Sequence, residues 1–365
     1  MLLARRNLTR DRTRLALSVT GVAVSVALIL LLAGYRAGVY RQASAYLDNA
    51  PGSAVIAERG IVDFLGTTST LGPGLEDRVA ALPGVARVVP VVSQFVVFEE
   101  HDRKDGFFLI GYDPEKGGGP WRLETGREPA TDDEVVVDAT TARQHGLALG
   151  GRVRILDREF TIVGLSADTT FWAGSIAFAR LGTLETLLRA PGIRSFLLVT
   201  LDPGRSLAAL RSDVDALGAD TVARADMIAN DRQLLARVYD APIGLMVVIA
   251  FVVGVLVVGL VIYTATVERR REYGALKAVG ATNGVLYRVV AAQALIAGVL
   301  GAVAGAMLAL VGSVLLTVWR PQFRVDIDAA TVVIVAMSSL LMAALGALVP
   351  ARSAARLEPA EVFRG

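Results

Sequence analysis

Four stretches of this chain carry no charged residue and are long enough to cross a lipid bilayer: residues 15–34, 242–266, 289–318 and 329–349. A helix rises 1.5 Å per residue, so about 20 apolar residues match a hydrocarbon layer of about 30 Å. Soluble domains do not carry four such runs. With 53% hydrophobic residues in 365 and a mean hydropathy of +0.52, the expected class is a multi-pass, α-helical membrane protein. The third run, taken with its polar entry as 285–318, exceeds what a bilayer needs and has to tilt or protrude.

Between the first two spans the grammar changes. Residues 53–224 read as an α+β domain in two subdomains. Val-, Ile- and Phe-rich runs bounded by Gly, Pro or Asp, such as 53–58, 106–112, 134–138 and 195–201, alternate with helix-compatible segments. Residues 35–52 and 225–241 stay helix-compatible, so the first and second spans are expected to extend outwards as stalk helices, with Pro242 tolerated in a first helical turn. Residues 319–328 form a short outer loop with an interfacial Trp319. The fourth span is expected to end at Pro350, leaving 350–365 as a basic tail.

Charge sets an expected topology. Five arginines precede the first span, four basic residues lie in 267–284 and three in the tail, against Arg320 and Arg324 in the last outer loop. By the positive-inside rule both termini are cytoplasmic, the first span is an uncleaved anchor over a basic amphipathic segment (1–14), and the 53–224 domain is extracytoplasmic. A net charge of +2 gives no argument for nucleic acid, and the absence of cysteine excludes disulfides, thiolate metal sites and Cys nucleophiles.

The polar island at 267–284, VERRREYGALKAVGATNG, is more ordered than a plain turn. Glu268, Arg269, Arg271 and Glu272 fall at spacings that allow ion pairs of both signs, Tyr273, Leu276 and Val279 follow at helical spacing, and Gly280 offers a helix stop. A short helix at the membrane face is expected, with an aromatic and a leucine available to a partner. The string resembles the loop between the second and third spans of the MacB/FtsX superfamily of ABC transporter permeases, through Glu268, Arg269, Glu272, Tyr273, Gly274, Leu276, Lys277, Ala278, Gly280 and Ala281. The tail is similar to the same family's ending through Pro350, Ala351, Ala354, Leu357, Glu358, Pro359, Phe363 and Arg364. A looser likeness to the family's periplasmic core runs through 126–129, 133–137, 145–153 and 160–164.

What the resemblance implies is a permease subunit in a bacterial cytoplasmic membrane, with length closer to the small haem- and glycolipid-exporting members. Its partner would be a cytoplasmic ABC ATPase dimer, which carries ATP and Mg, so that no cofactor sits on this chain and it is not itself an enzyme. Glu268, Arg269, Glu272, Tyr273, Gly274, Leu276, Lys277 and Gly280 would form the coupling helix. In this reading Glu272 and Arg269 pair with the ATPase, and Tyr273 and Leu276 fill its groove. The chain would act as a homodimer among membrane lipids, exporting or extracting a hydrophobic or envelope-associated substrate: lipid, haem, drug or peptide. The alternative is a non-transporting, FtsX-like regulator of an extracytoplasmic cell-wall hydrolase, which would be its outer protein partner.

Two further sets of residues stand out. Gly298, Gly301 and Gly305 make a small-residue face in the third span, suited either to packing within the chain or to a dimer contact. Tyr35, Tyr40 and Tyr239, with Arg320 and Arg324, are candidate substrate contacts near the outer stalk roots, or else interfacial anchors. Catalytic chemistry has little support. No nucleotide-binding GxxxxGK[ST] is present, His101 and His145 read as surface residues without metal partners, and the charge-free spans disfavour a channel or proton pump.

Overall fold

The computed structural model describes residues 12–100, 103–171, 174–320 and 322–356. Among these, four helices are long and apolar enough to cross a membrane. They are α1 (Arg12–Asn49), α6 (Arg224–Glu268), α8 (Asn283–Trp319) and α9 (Ala329–Ala355), with a fifth, short helix α7 (Arg270–Ala278) between α6 and α8. At 38 and 45 residues, α1 and α6 are far longer than a bilayer crossing requires, so both continue beyond their apolar segments as expected stalk helices do. The chain divides into two compact units, one formed by 12–38, 239–320 and 324–356, the other by 39–238 and 322–323.

The first unit is a helical bundle. Its core joins Val22, Val26 and Leu30 of α1, Val258 and Ile262 of α6, Leu286, Val290 and Ala294 of α8, and Met342, Ala343 and Ala347 of α9. Small residues set the packing distance. A Cβ on Gly301 would stand 2.5 Å from that of Val22, and one on Gly305 would stand 2.6 Å from that of Val26, so α8 closes on α1 through these two glycines. Gly298 meets Ala343 of α9 instead, at 3.0 Å. Of the two uses open to this face, the structure therefore shows packing within the chain, because α1 and α9 already occupy it. The last helix also differs from expectation. α9 runs through Pro350 to Ala355, with Pro350 buried inside it. A proline removes one backbone bond without ending a helix whose neighbours hold it on both sides.

The second unit is built on one hydrogen-bonded, 11-stranded sheet. In chain order its elements are β1 (Ala54–Glu58), α2 (Leu75–Ala80), β2 (Val85–Glu100), β3 (Arg103–Tyr112), β4 (Leu123–Gly126), β5 (Glu134–Asp138), α3 (Ala139–His145), β6 (Arg152–Ile155), β7 (Arg158–Ser166), β8 (Thr170–Phe171), β9 (Gly174–Arg180), α4 (Leu181–Leu187), β10 (Phe196–Leu201), α5 (Leu207–Ala216) and β11 (Ala219–Ala223). The strand order is β11-β1-β10-β2-β3-β9-β5-β7-β4, with β6 joined to β2 and β7. Where two subdomains are expected, a single sheet is found with separate cores. The 16-residue β2 pairs with β10 through Val85–Val91 and with β3 through Val91–Glu100, and so carries the hydrogen bonding across.

Alternation along the strands explains the cores. Ala54 and Ile56, with Leu197 and Val199, face α2 and α5. Their neighbours Val55 and Ala57, with Phe196 and Leu198, face the opposite side, where Tyr46, Leu47 and Ala50 of α1 and Met227 of α6 pack. A third cluster gathers Val92, Val96, Phe98, Phe107 and Leu109 with Ala142 and Leu184 of α3 and α4. Side chains two apart share a face and adjacent ones do not, so one strand serves two cores.

Candidate functional site

The site begins with α7 and the ends of its neighbours. Arg269 separates α6 from α7, and Gly280, with φ of +102°, turns the chain before α8 begins at Asn283. That left-handed backbone has open space around it, so glycine is required there by conformation. On the nine-residue α7 the apolar and polar residues separate. Tyr273 is 3% exposed within the bundle core, Gly274 is buried, and Leu276 packs against the same core. Arg271, Glu272, Ala275 and Ala278 are exposed, and beyond the helix Val279 is 90% exposed.

This arrangement corrects the expected groove contact of Tyr273 and Leu276. Tyr273 and Leu276 do not project outwards to fill a partner's groove, because an amphipathic helix beside an open apolar bundle buries its apolar face on that bundle first. Arg269 lies 3.8 Å from Glu272 within the chain. Lys277 is also turned inwards, its Nζ donating to the carbonyl of Ala355 at 2.6 Å. That bond satisfies one orphan carbonyl at the end of α9 and ties α7 to it. Of the eight expected coupling residues, Glu268, Glu272 and Gly280 are exposed, and Arg271, Ala275, Ala278 and Val279 are exposed beside them.

Of the expected substrate residues, Tyr35, Tyr239, Arg320 and Arg324 belong to the bundle unit. Tyr35 and Tyr239 are the chain neighbours of Arg36 and Asp240, which form an ion pair of 2.9 Å. Tyr40 belongs to the α+β unit. Arg320 caps α8, and Arg324 has its guanidinium 3.5 Å from Asp326. Sequence reasoning missed one feature of the bundle unit. The extended segment 324–327 lies across Gly34 and Gly38 of α1, with the Asp326 amide donating to the Gly34 carbonyl at 2.9 Å. A Cβ on Gly34 would come within 2.7 Å of Val325 Cγ1 and 2.9 Å of Ile327 Cγ1, while one on Gly38 would overlap the Arg324 carbonyl oxygen. The glycine pair spaced by four in GYRAG was the available signal.

In the α+β unit, Asp231 of α6 is fully buried and its Oδ1 accepts from the amides of Phe64 (2.9 Å) and Leu65 (3.0 Å). Nothing local in the sequence marks it, since its partners lie more than 160 residues away. Asp231→Ala is expected to cost about 2–4 kcal/mol by leaving two amides without an acceptor, and Asp231→Asn less than half of that, because its amide oxygen can still accept. Thermal unfolding of the two variants against the parent reads this difference. Equal midpoints for the two would refute the acceptor role.

His145 is not a plain surface residue. Its side chain is 12% exposed, bonds Asp105 through Nε2 at 2.9 Å and meets the Phe98 ring edge-on. His101 lies outside the described residues. No group of three or more potential ligands for a metal occurs among the described residues. The turn before β5 is held by Arg127, whose guanidinium bonds both carboxylate oxygens of Glu134 and, with the amides of Ala130 and Thr131, holds that carboxyl down at about 2. This motif shapes a turn.

The chain thus combines four apolar helices, a short amphipathic helix between the second and third of them, and an α+β domain between the first and second. Two family models match it: the MacB-like periplasmic core domain over residues 15–217, more than half of the chain, and the FtsX-like permease C-terminal domain over 244–359. The chain belongs to the MacB/FtsX family of ABC transporter permeases. An uncharacterized ABC transporter permease of Mycobacterium tuberculosis is 27% identical over 365 residues, covering 99% of each chain. The macrolide export ATP-binding/permease protein MacB of Agrobacterium fabrum is 29% identical over 116 residues, covering 32% of this chain and 18% of that protein. Among solved structures, the periplasmic region of MacB from Actinobacillus actinomycetemcomitans is similar over 48% of this chain and 90% of that one, at 13% identity and a TM-score of 0.38. Membership implies a membrane location and an ATPase partner.

Proposed function

We propose that this chain is the membrane subunit through which a separate, cytoplasmic ABC ATPase dimer drives movement of the α+β domain. Two copies of the chain would work with it to export or extract a hydrophobic or envelope-associated substrate. ATP and Mg reside on the partner, and both termini and α7 lie in the cytoplasm. The observation that carries this reading is α7 itself, whose Tyr273 and Leu276 are seated on the bundle core while Arg271, Glu272, Ala275 and Val279 face outwards. A helix held on one side and exposed on the other can pass a push from a bound protein into the spans. Relatives named as ABC transporter permeases and a macrolide exporter support the same reading.

Purification of the full chain from its host in mild detergent, followed by mass spectrometry, tests it. An ABC ATPase is expected to accompany the parent chain and to be lost with Glu272→Arg/Val279→Asp, two exposed positions outside the bundle core. Recovery of no ATPase with the parent, or of equal amounts with both forms, would overturn the assignment.

A further inference from the structure

The bundle also holds a cavity lined by residues outside α7. It is an open cavity of about 400 Å³ between α8 and α9, lined chiefly by alanine and leucine. Ala291, Ala294, Ala343, Ala344, Ala347 and Ala351 form its floor, so two helices that are otherwise in close contact leave a trough between them. Among the described residues its only charged lining residue is Arg352, accompanied by the phenol-bearing Tyr287. Both stand at the α7 end of the bundle, since Tyr287 opens α8 just after that turn and Arg352 precedes the carbonyl that Lys277 binds by three residues.

Size, polarity and charge point to one occupant. From Leu340 to Arg352 the α9 wall rises through 12 residue steps, about 18 Å, close to the ~15 Å of one bilayer leaflet. An acyl chain would lie along the alanines without displacing any core side chain. Arg352 is exposed and forms no ion pair among the described residues, and Arg356 follows one turn later. Basic pockets between spans on the cytoplasmic side suit anionic lipid headgroups. We infer that the trough between α8 and α9 binds one anionic phospholipid, its chain along Ala291, Ala344 and Ala347 and its phosphate at Arg352 and Tyr287. This assignment rests on the cytoplasmic placement of α7 in the proposed function for the leaflet concerned, but binding itself does not depend on an ATPase.

The test uses the delipidated full chain in mild detergent, without any ATPase, and native mass spectrometry after addition of dioleoyl phosphatidylglycerol or dioleoyl phosphatidylcholine. One phosphatidylglycerol is expected to be retained per chain, about fivefold more than phosphatidylcholine, the factor contributed by about one basic side chain near the surface. Arg352→Gln should reduce phosphatidylglycerol to the phosphatidylcholine level, while Arg320→Gln at the opposite end of α8 should not. Ala291→Phe and Ala344→Phe, at exposed lining positions, should remove both lipids with thermal midpoints unchanged. Equal retention of the two lipids by the parent would overturn the anionic assignment, and parent-like retention by both phenylalanine variants would overturn the site. A lipid-free dimer that Ala344→Phe converts to monomer would assign the trough to a second copy instead. Loss of the ATPase interaction leaves all of these readings unaffected, so the two proposals fail separately.

Discussion

Gly38→Ala is expected to destabilise the bundle by about 1–3 kcal/mol, although it adds a single methyl group to a helix. The added carbon would overlap the Arg324 carbonyl, and backbone cannot swing aside as a side-chain tip can. Either α1 or segment 324–327 must shift, and the bond from the Asp326 amide to the Gly34 carbonyl would be lost with it. Gly244→Ala is the matched control, a helical glycine with open space around its would-be Cβ, where the change should be neutral or slightly stabilising. Thermal unfolding in detergent, with limited proteolysis of 322–328, separates the two. Equal midpoints for Gly38→Ala and Gly244→Ala would show that the segment does not rest on α1 as described.

Tyr273→Ala should have the larger functional effect. The ring is buried in the bundle core, so its removal leaves a cavity costing about 3–5 kcal/mol and loosens α7 from the spans. Glu272 and Val279 remain exposed, so the ATPase should still copurify. What should fall, by about tenfold, is the permease-dependent stimulation of ATP hydrolysis, because a push on a loosened helix is no longer delivered to the core. Tyr273→Phe should retain most of it. If Tyr273→Ala instead loses the ATPase while Tyr273→Phe keeps it, the ring would belong to the contact and not to the anchor.

The contrast between these residues shows where sequence reasoning reaches. Four spans were legible because hydropathy is a property of consecutive residues, and α7 was legible from the spacing of Tyr273, Leu276 and Val279. The direction of that apolar face was not. An amphipathic helix can be buried on its own chain or on a partner, and only the proximity of the bundle core decides. Gly301 and Gly305 posed the same ambiguity, resolved by Val22 and Val26 on a helix almost 280 residues earlier. In the α+β unit the strands were visible as local runs. Their union into one sheet was not, because β1 pairs with β10 and β11, more than 130 residues away. Asp231 and Lys277 were misjudged or missed for a related reason. A polar residue on a helix looks solvated until the acceptor or donor from a distant segment is in view.

The clamp of 324–327 on Gly34 and Gly38 bears on how this protein can be labelled. Short connections between spans are the usual places to insert an epitope or a fluorophore, since loop tips tolerate insertion. Here that connection is a packed strap, and an inserted tag would pry it from α1. Gly60 and Gly204 are turns of the α+β unit with positive φ and free space around them, so a tag placed there would report on the domain while the bundle stays closed.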